Sequence, residues 1–336
     1  MNRQIVLACR PRGEPKLTDF ALRTGQRPAP GPQQFLLRTE LLSLDPYMRW
    51  RMNDGPSYAP PVELGTPMVG STISRVVASR HSDFTEGEVV LGRAGWQDFA
   101  LSDGTDVRKL TDLKAPVSAA LGILGSPGLT AYTGLLNIGQ PKAGETLVVA
   151  AATGPVGALV GQIGRLKGCR VVAVAGGTEK CAYARDVLGF DAAIDHRSPD
   201  MAAQLKAACP NGIDIYFENV GGAVWEAIHP LLNNFARIPV CGLVSQYNET
   251  GSVLGSGADA ADLMRTALVK RLTIRGFIVT DFIGQMSDFQ RDVGGWLAEG
   301  KLVHREQFVD GLEAAPQAFI GMLKGQNFGK LIVRVS

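Results

Sequence analysis

The sequence predicts an α/β protein of two domains, one β-rich and barrel-like, the other a parallel, doubly wound sheet of six strands. Three observations carry this expectation. The 336 residues suffice for about two hydrophobic cores, at roughly one domain per 150 residues. Up to about residue 120, short apolar runs are separated by proline and glycine, the pattern of short strands between turns. Beyond that point, strand-length apolar runs alternate with helical spacing.

In the first part the runs are Gln34–Leu44, Val69–Val77 and Glu88–Leu91, with breakers at 28–32, Asn53–Pro56 and Thr85–Gly87. In the second, Thr146–Ala150 reads as a buried strand. Val156, Leu159, Val160, Ile163 and Leu166 then recur at helical spacing, and Gly168 marks the stop. Arg170–Ala175 is the next strand, and Thr178 is placed to cap a helix reaching Leu188, before Gly189. Ala192–Asp195, Ile213–Phe217, Ala236–Leu243 and Leu272–Val279 complete six strands. Gly311–Phe319 predicts a helix and Lys330–Val335 a last strand, which could finish this sheet or return to the first domain.

Composition excludes several classes of function. With 45% hydrophobic and 20% charged residues, long disorder is not expected. A net charge of +2, with no basic block, offers nucleic acid or an anionic membrane no electrostatic handle. The first residues lack the apolar stretch of a secretory signal. The longest apolar region, Leu147–Ile163, is interrupted by Gly154, Pro155, Gly157 and Gly161 and does not read as a membrane span. The five cysteines are scattered and form no CxxC pair, against a disulfide framework or a cysteine zinc site. The expectation is a cytoplasmic protein.

The motif that carries chemistry is Ala151-Ala152-Thr153-Gly154-Pro155-Val156-Gly157. It follows a strand and opens a helix, as a dinucleotide fingerprint must. Gly154 permits close approach of a pyrophosphate and Gly157 close packing of helix on strand, while the helix N-terminus offers N–H groups to phosphate. Ala152 replaces the first glycine of GxGxxG, so an ordinary glycine-rich turn is the alternative. The further βα elements behind it favour the Rossmann reading. An NAD enzyme usually ends its second strand on a carboxylate. Here stand Ala175, Gly176, Gly177 and Thr178, with Lys180, His196 and Arg197 following, which favours the 2′-phosphate of NADP. Glu179 counts mildly against this, and Lys180 could equally be a solvated helix residue.

Other chemistries fail on spacing. The four histidines form no HExxH, and no tyrosine is followed four residues later by lysine. Gly325–Lys330 is one residue short of a P-loop, and there is no GxSxG.

A longer string of motifs resembles the medium-chain dehydrogenase/reductase family. It comprises Leu44–Arg49, Pro56–Pro61, Pro127–Tyr132, Ala151–Gly157, Glu179–Tyr183, Glu218–Gly222, Cys241–Asn248 and Asn327–Lys330. The likeness is to the zinc-independent branch of prostaglandin reductases, plant alkenal double-bond reductases and bacterial NADPH-dependent curcumin reductases. Ile213–Val220 and Ala236–Gly242 bring it nearest the last of these.

The resemblance implies a GroES-like substrate domain at 1–124 and 305–336 and a Rossmann NADP-binding domain at 125–304. It sends the last strand to the first domain. It implies no metal, since Gly65-Thr66-Pro67 stands where zinc-dependent relatives carry Gly-His-Glu, and the cysteine loop of their structural zinc is missing. By resemblance, Pro155, Val156, Gly157, Ala158 and Asn219 contact the cofactor's phosphates and ribose, beside the Gly154 of the motif. Lys180, and His196 where relatives often have tyrosine, flank the adenosine phosphate. Cys241, Gly242, Ser245 and Tyr247 line the nicotinamide side with Phe277, Ile278, Val279 and Asn327. Asn219 and the 241–247 loop also follow strand C-terminal ends, where open α/β sheets bind ligands.

The expected reaction is NADPH-dependent reduction of the C=C bond of α,β-unsaturated ketones and aldehydes. Hydride adds to the β-carbon and charge moves to an enolate oxygen, so one hydrogen-bond donor suffices. Tyr247 is the first candidate donor, with a phenol pKa ordinarily of about 10. Tyr47 and Tyr58 are the next, as shapers of the pocket for a small electrophilic substrate. An NADPH quinone reductase, oxidation of a secondary alcohol and a non-catalytic NADPH sensor are the rival readings. Family members are often dimers, so a homodimer is expected.

Overall fold

The apolar runs of the N-terminal part become antiparallel ladders. β1 (Asn2–Leu7) pairs with β2 (Phe20–Gly25). β3 (Phe35–Ser43) pairs with β4 (Thr72–Ser79), which pairs with β5 (Val89–Gly92). β6 (Phe99–Ser102) adds to β3, and β7 (Arg108–Lys109) to β5. β4 starts at Thr72 rather than Val69: the Gly70 carbonyl accepts instead from the Gly95 N–H at 3.2 Å, outside the ladders to β3 and β5, and Gly70 packs its bare Cα against Leu42, Met48 and Trp96.

The strand–helix alternation follows. In order come α1 (Ser126–Thr133), β8 (Thr146–Ala150), α2 (Pro155–Leu166), β9 (Arg170–Ala175), α3 (Thr178–Asp186) and β10 (Ala192–Asp195). Next are α4 (Met201–Ala208), β11 (Ile213–Phe217), α5 (Gly222–Ile228), β12 (Leu232–Val240), α6 (Gly257–Lys270), β13 (Thr273–Gly276) and α7 (Met286–Ala298). Their strands form a six-stranded parallel sheet in the order β10-β9-β8-β11-β12-β13. The order reverses between β8 and β11, the switch point at which such sheets bind ligands. Finally β14 (Glu306–Asp310), α8 (Ala315–Leu323) and β15 (Lys330–Arg334) close the chain. β15 runs antiparallel to β3, so the last strand joins the first sheet.

The computed structural model describes residues 1–111, 115–249 and 257–335. They divide into two units, Met1–Leu121 with Glu306–Ser336, and Gly122–Arg305. The first is centred on Phe20, Trp96 and Phe319, with Phe20 stacked on Trp96 at 5.7 Å. The second buries β8, β9, β11 and β12 among Val148, Val172, Tyr216 and Ile238. Among the described residues, no helix is long and apolar enough to cross a membrane.

Several element ends differ from expectation, each for a local reason. α3 starts at Thr178 with Gly177 as its cap, at φ 91°, so Thr178 does not cap it. It ends at Asp186 because Val187 and Leu188 both donate to the Tyr183 carbonyl, while Gly189 turns to φ 68°. β12 begins at Leu232, four residues early, and carries a register shift against β11, with Phe235 at φ 64°. It stops at Val240 because the Cys241 and Gly242 N–H groups both turn to the Glu218 carbonyl. β13 stops at Gly276, and Ile278 and Asp281 exchange hydrogen bonds to start a 3₁₀ helix at Val279. In α2, Leu159, Val160 and Ile163 are buried as expected, but Leu166 faces solvent.

Candidate active site

The turn from β8 into α2 could hold an anion. Gly154 is the N-cap, Pro155 at the first helical position has no N–H, and no side chain caps this end. The first-turn N–H groups of Val156 and Gly157 therefore face outward for a phosphate. A Cβ on Gly154 would meet only the Ala151 carbonyl, at 3.3 Å. One on Gly157 would lie 2.4 Å from that oxygen and 2.9 Å from the Ala151 carbonyl carbon and Ala152 Cα. The two glycines thus do different things: Gly157 seats the helix on the turn, and Gly154 leaves space open. The positive φ falls on Ala151, at 51°, rather than on Ala152.

Basic side chains gather at the turn after β9. A Cβ on Gly176 would meet His196 Nε2 at 2.8 Å and Arg197 Nη2 at 3.2 Å, so both side chains lie over this bare glycine. Partial desolvation, then the Arg197 charge, lower the pKa of Lys180 in the first turn of α3. The same two causes lower that of His196. The nearby carboxylate, Asp195, is turned onto the backbone. Its Oδ1 accepts from Gly177 N–H at 2.9 Å and Arg197 N–H at 3.0 Å, and these bonds, Gly177 first, hold its carboxyl below the usual range. Lys180, His196 and Arg197 could together hold a phosphate monoester.

The third part spans the switch point. Asn219, just past β11, donates from Nδ2 to the Ala150 carbonyl at the end of β8, at 2.8 Å. The loop after β12 is stitched to the same turn. Cys241 N–H donates to the Glu218 carbonyl at 2.9 Å, Val244 N–H to Asn219 at 3.2 Å and Ser245 N–H to Val220 at 3.0 Å. The Ser245 hydroxyl also donates to the Val220 carbonyl. Tyr247 follows the 3₁₀ turn Val244–Gln246, and its hydroxyl lies 2.9 Å from where a Gly242 Cβ would stand. Burial, aided by Glu218, pushes the Cys241 thiol up to about 12.

Glu218, absent from the candidate residues, holds this turn together. The side chain is buried, and Oε1 accepts from the Tyr216 hydroxyl at 2.9 Å, Val220 N–H at 2.7 Å and Gly221 N–H at 2.9 Å. Its signal in the sequence was a carboxylate directly after the strand Ile213–Phe217 and before Asn-Val-Gly-Gly. Phe277 is buried against Phe217 and beneath Gly134, and Ile278 and Val279 are half-buried beyond β13.

The remaining candidates belong to the other unit. Tyr47 is half-buried in the 3₁₀ helix Pro46–Met52, and burial, then the Asp45 charge, raise its phenol pKa. Tyr58 is exposed. Asn327 donates from Nδ2 to the Gly329 carbonyl at 2.9 Å. Among the described residues, no three His, Cys, Asp or Glu side chains cluster as metal ligands would.

Two family models match, the N-terminal domain of oxidoreductase over residues 3–110 and zinc-binding dehydrogenase over 155–297. The NADPH-dependent curcumin reductase of Escherichia coli is 59% identical, covering 100% of this chain and 97% of its own. This chain belongs to the medium-chain dehydrogenase/reductase family. In this oxidoreductase family, the prostaglandin reductase 1 of Rattus norvegicus is 41% identical over 96% of this chain and 95% of its own. The NADP⁺-dependent 2-alkenal reductase of Nicotiana tabacum is 37% identical over 100% and 98%. The crystal structure of CurA in complex with NADPH from Vibrio vulnificus superposes with a TM-score of 0.96 at 55% identity, covering 99% of both chains. The two units are thus the GroES-like and Rossmann folds of this family.

Proposed function

We propose that this chain is an NADPH-dependent enone and alkenal reductase that works without metal. The observation carrying the reading is the basic cradle at Gly176, reached from an uncapped α2 and an Asn219 fixed across the switch point. Relatives named as NADPH- and NADP⁺-dependent reductases support it. Bound NADPH supplies the hydride that adds to the substrate's β-carbon. Val156 and Gly157 N–H groups hold the pyrophosphate, while Lys180, His196 and Arg197 hold the 2′-phosphate. The 241–247 loop with Ile278 and Val279 orients the nicotinamide side, together with Asn327. Tyr247 donates a hydrogen bond to the enolate oxygen as charge develops there, and solvent protonates the α-carbon. Tyr47 and Tyr58 shape the substrate pocket, so residues 1–124 and 305–336 act as substrate domain and 125–304 as NADP-binding domain.

The enzyme works as a cytoplasmic homodimer. β13 ends the parallel sheet with all four residues exposed, and Met264, Leu268 and Val269 of α6 are 72%, 77% and 61% exposed. An open edge strand beside exposed apolar side chains suits pairing with a second copy. All five cysteines are free, as suits a reducing compartment.

The test follows NADPH oxidation with an α,β-unsaturated ketone in chelator-treated buffer, with product mass and carbonyl retention checked. A saturated ketone is expected. Turnover of quinones alone overturns the reading in favour of a quinone reductase, and NADPH binding without turnover in favour of a sensor. In the same assay, Tyr247→Phe should lose at least about tenfold in turnover with NADPH affinity nearly unchanged, since one donor to a developing oxyanion is removed. Wild-type turnover in that variant removes Tyr247 from the mechanism.

Lys180→Ala and Arg197→Ala should each weaken NADPH binding by about 10- to 100-fold, the worth of a charged hydrogen bond at roughly 1.5–3 kcal/mol. NADH affinity should stay constant. Titration calorimetry with both cofactors reads the difference, and equal losses for the two would place these residues elsewhere than at the 2′-phosphate.

A further inference from the structure

Lys330, the first residue of β15, is 2% exposed, an uncommon place for an ammonium group. Its Nζ donates to the Leu44 carbonyl at 2.8 Å and to Asp45 Oδ1 at 2.7 Å, and the other Asp45 oxygen accepts from the Ser43 hydroxyl. Asp45 occupies the N-cap position of the 3₁₀ helix that carries Tyr47, yet its side chain caps nothing there. Aspartate is a preferred cap, so this carboxylate has been diverted to the lysine.

On its other side Lys330 ends the turn that carries Asn327. Gly329 in that turn adopts φ 79°, Asn327 donates to the Gly329 carbonyl, and Phe328 N–H donates to Gln307 Oε1 at 2.8 Å. The Leu44 N–H adds a backbone bond to the Leu331 carbonyl at 3.2 Å. One ion pair therefore joins two segments from opposite ends of the chain, each bearing one residue of the proposed site.

A buried ion pair contributes little net stability against well-packed apolar groups, and its best-attested use is to fix one arrangement. We propose that Asp45 and Lys330 are positioning residues, which hold the Tyr47 segment and the Asn327 segment in one mutual register so that substrate and cofactor meet fixed side chains. The inference rests on the roles given to Tyr47 and Asn327 above.

The test is a double-mutant cycle on the full-length enzyme, read by enone kcat/KM, NADPH affinity and melting temperature. Lys330→Met, folded by circular dichroism, should lose at least about tenfold in kcat/KM and about threefold in NADPH affinity, and Lys330→Arg should recover part of both. Asp45→Asn combined with Lys330→Met should be no worse in kcat/KM than Lys330→Met alone. Should Lys330→Met fail to fold, Asp45→Asn is read instead. It leaves the bond from Lys330 to Leu44 in place and should lose at least about threefold in kcat/KM, with a lower melting temperature because the Lys330 ammonium stays buried without its counter-charge. Folded variants with wild-type kcat/KM and NADPH affinity, or independent losses in the double variant, overturn the proposal. Tyr47→Phe and Asn327→Ala run in parallel separate the two levels. If they cost activity while the Lys330 and Asp45 variants are silent, only the positioning role fails. If they too are silent in an active enzyme, their site roles fail and the positioning role with them.

Discussion

Gly157→Val is expected to lose at least about 100-fold in NADPH affinity and to lower stability by roughly 1–3 kcal/mol, the range for overpacking a tight site. The atoms in the way are backbone: the Ala151 carbonyl oxygen at 2.4 Å, and the Ala151 carbonyl carbon and Ala152 Cα at 2.9 Å. None can swing aside as a side chain could. Ala151 already holds a φ of 51°, costly for an L-residue, and the Ala152 N–H is tied to the Val174 carbonyl in β9. The helix must therefore move off the turn, taking the Val156 and Gly157 N–H groups with it. Gly154→Ala is the informative partner. Its Cβ meets only the Ala151 carbonyl, at 3.3 Å, so melting should hardly change while NADPH affinity falls, because the new methyl stands where a pyrophosphate must approach. Thermal melting with cofactor titration checks both. Equal melting losses in the two variants would mean that both glycines serve the fold alone.

Much of this architecture was legible because its signals are local. Thr146–Ala150 and Arg170–Ala175 are short, apolar and β-branched, and each became a strand with those bounds. The spacing of Leu159, Val160 and Ile163 located α2, since a buried helical stripe repeats at 3.6 residues. What escaped depends on groups distant in sequence. The end of β12 is decided by the Glu218 carbonyl, which draws off the N–H groups of Cys241 and Gly242. The cap of α3 passes to Gly177 because Asp195, eighteen positions later, holds its N–H. The site shows the same division. Gly154 and Gly157 stand in a motif, and the lack of a carboxylate after β9 is read directly from Ala175 to Thr178. That His196 and Arg197 lie over Gly176 follows only once β10 is laid beside β9. The role of Glu218 escaped for a related reason: an acid at the end of a strand shows no partner in the sequence, and its partners are the Tyr216 hydroxyl and N–H groups of the turn it creates.

That turn makes Glu218→Ala the second large effect. Removing the carboxylate leaves the Tyr216 hydroxyl and the Val220 and Gly221 N–H groups without their acceptor. At about 1–3 kcal/mol for each buried donor left unmade, the loss should be at least about 3 kcal/mol, a large share of the roughly 5–15 kcal/mol that keeps a domain folded. Catalysis should fall further than melting suggests, because Asn219 and the 241–247 loop are anchored to the same backbone. Glu218→Gln separates charge from shape. Burial raises the Glu218 carboxyl above its usual range, against the opposing pull of its backbone donors, and Tyr216 and Cys241 are the titratable groups beside it. With the folded pKa above the unfolded one, the unfolded chain releases this proton first. The stability linked to Glu218 is therefore full below the unfolded value of about 4.3 and is lost as pH rises through the folded value. The glutamine has no such loss, so the deficit of Glu218→Gln relative to wild type should be greatest near pH 4 and shrink towards pH 7. Denaturant unfolding of both proteins across that range measures it, and a deficit that grows with pH would mean that the carboxylate is held ionised by its donors.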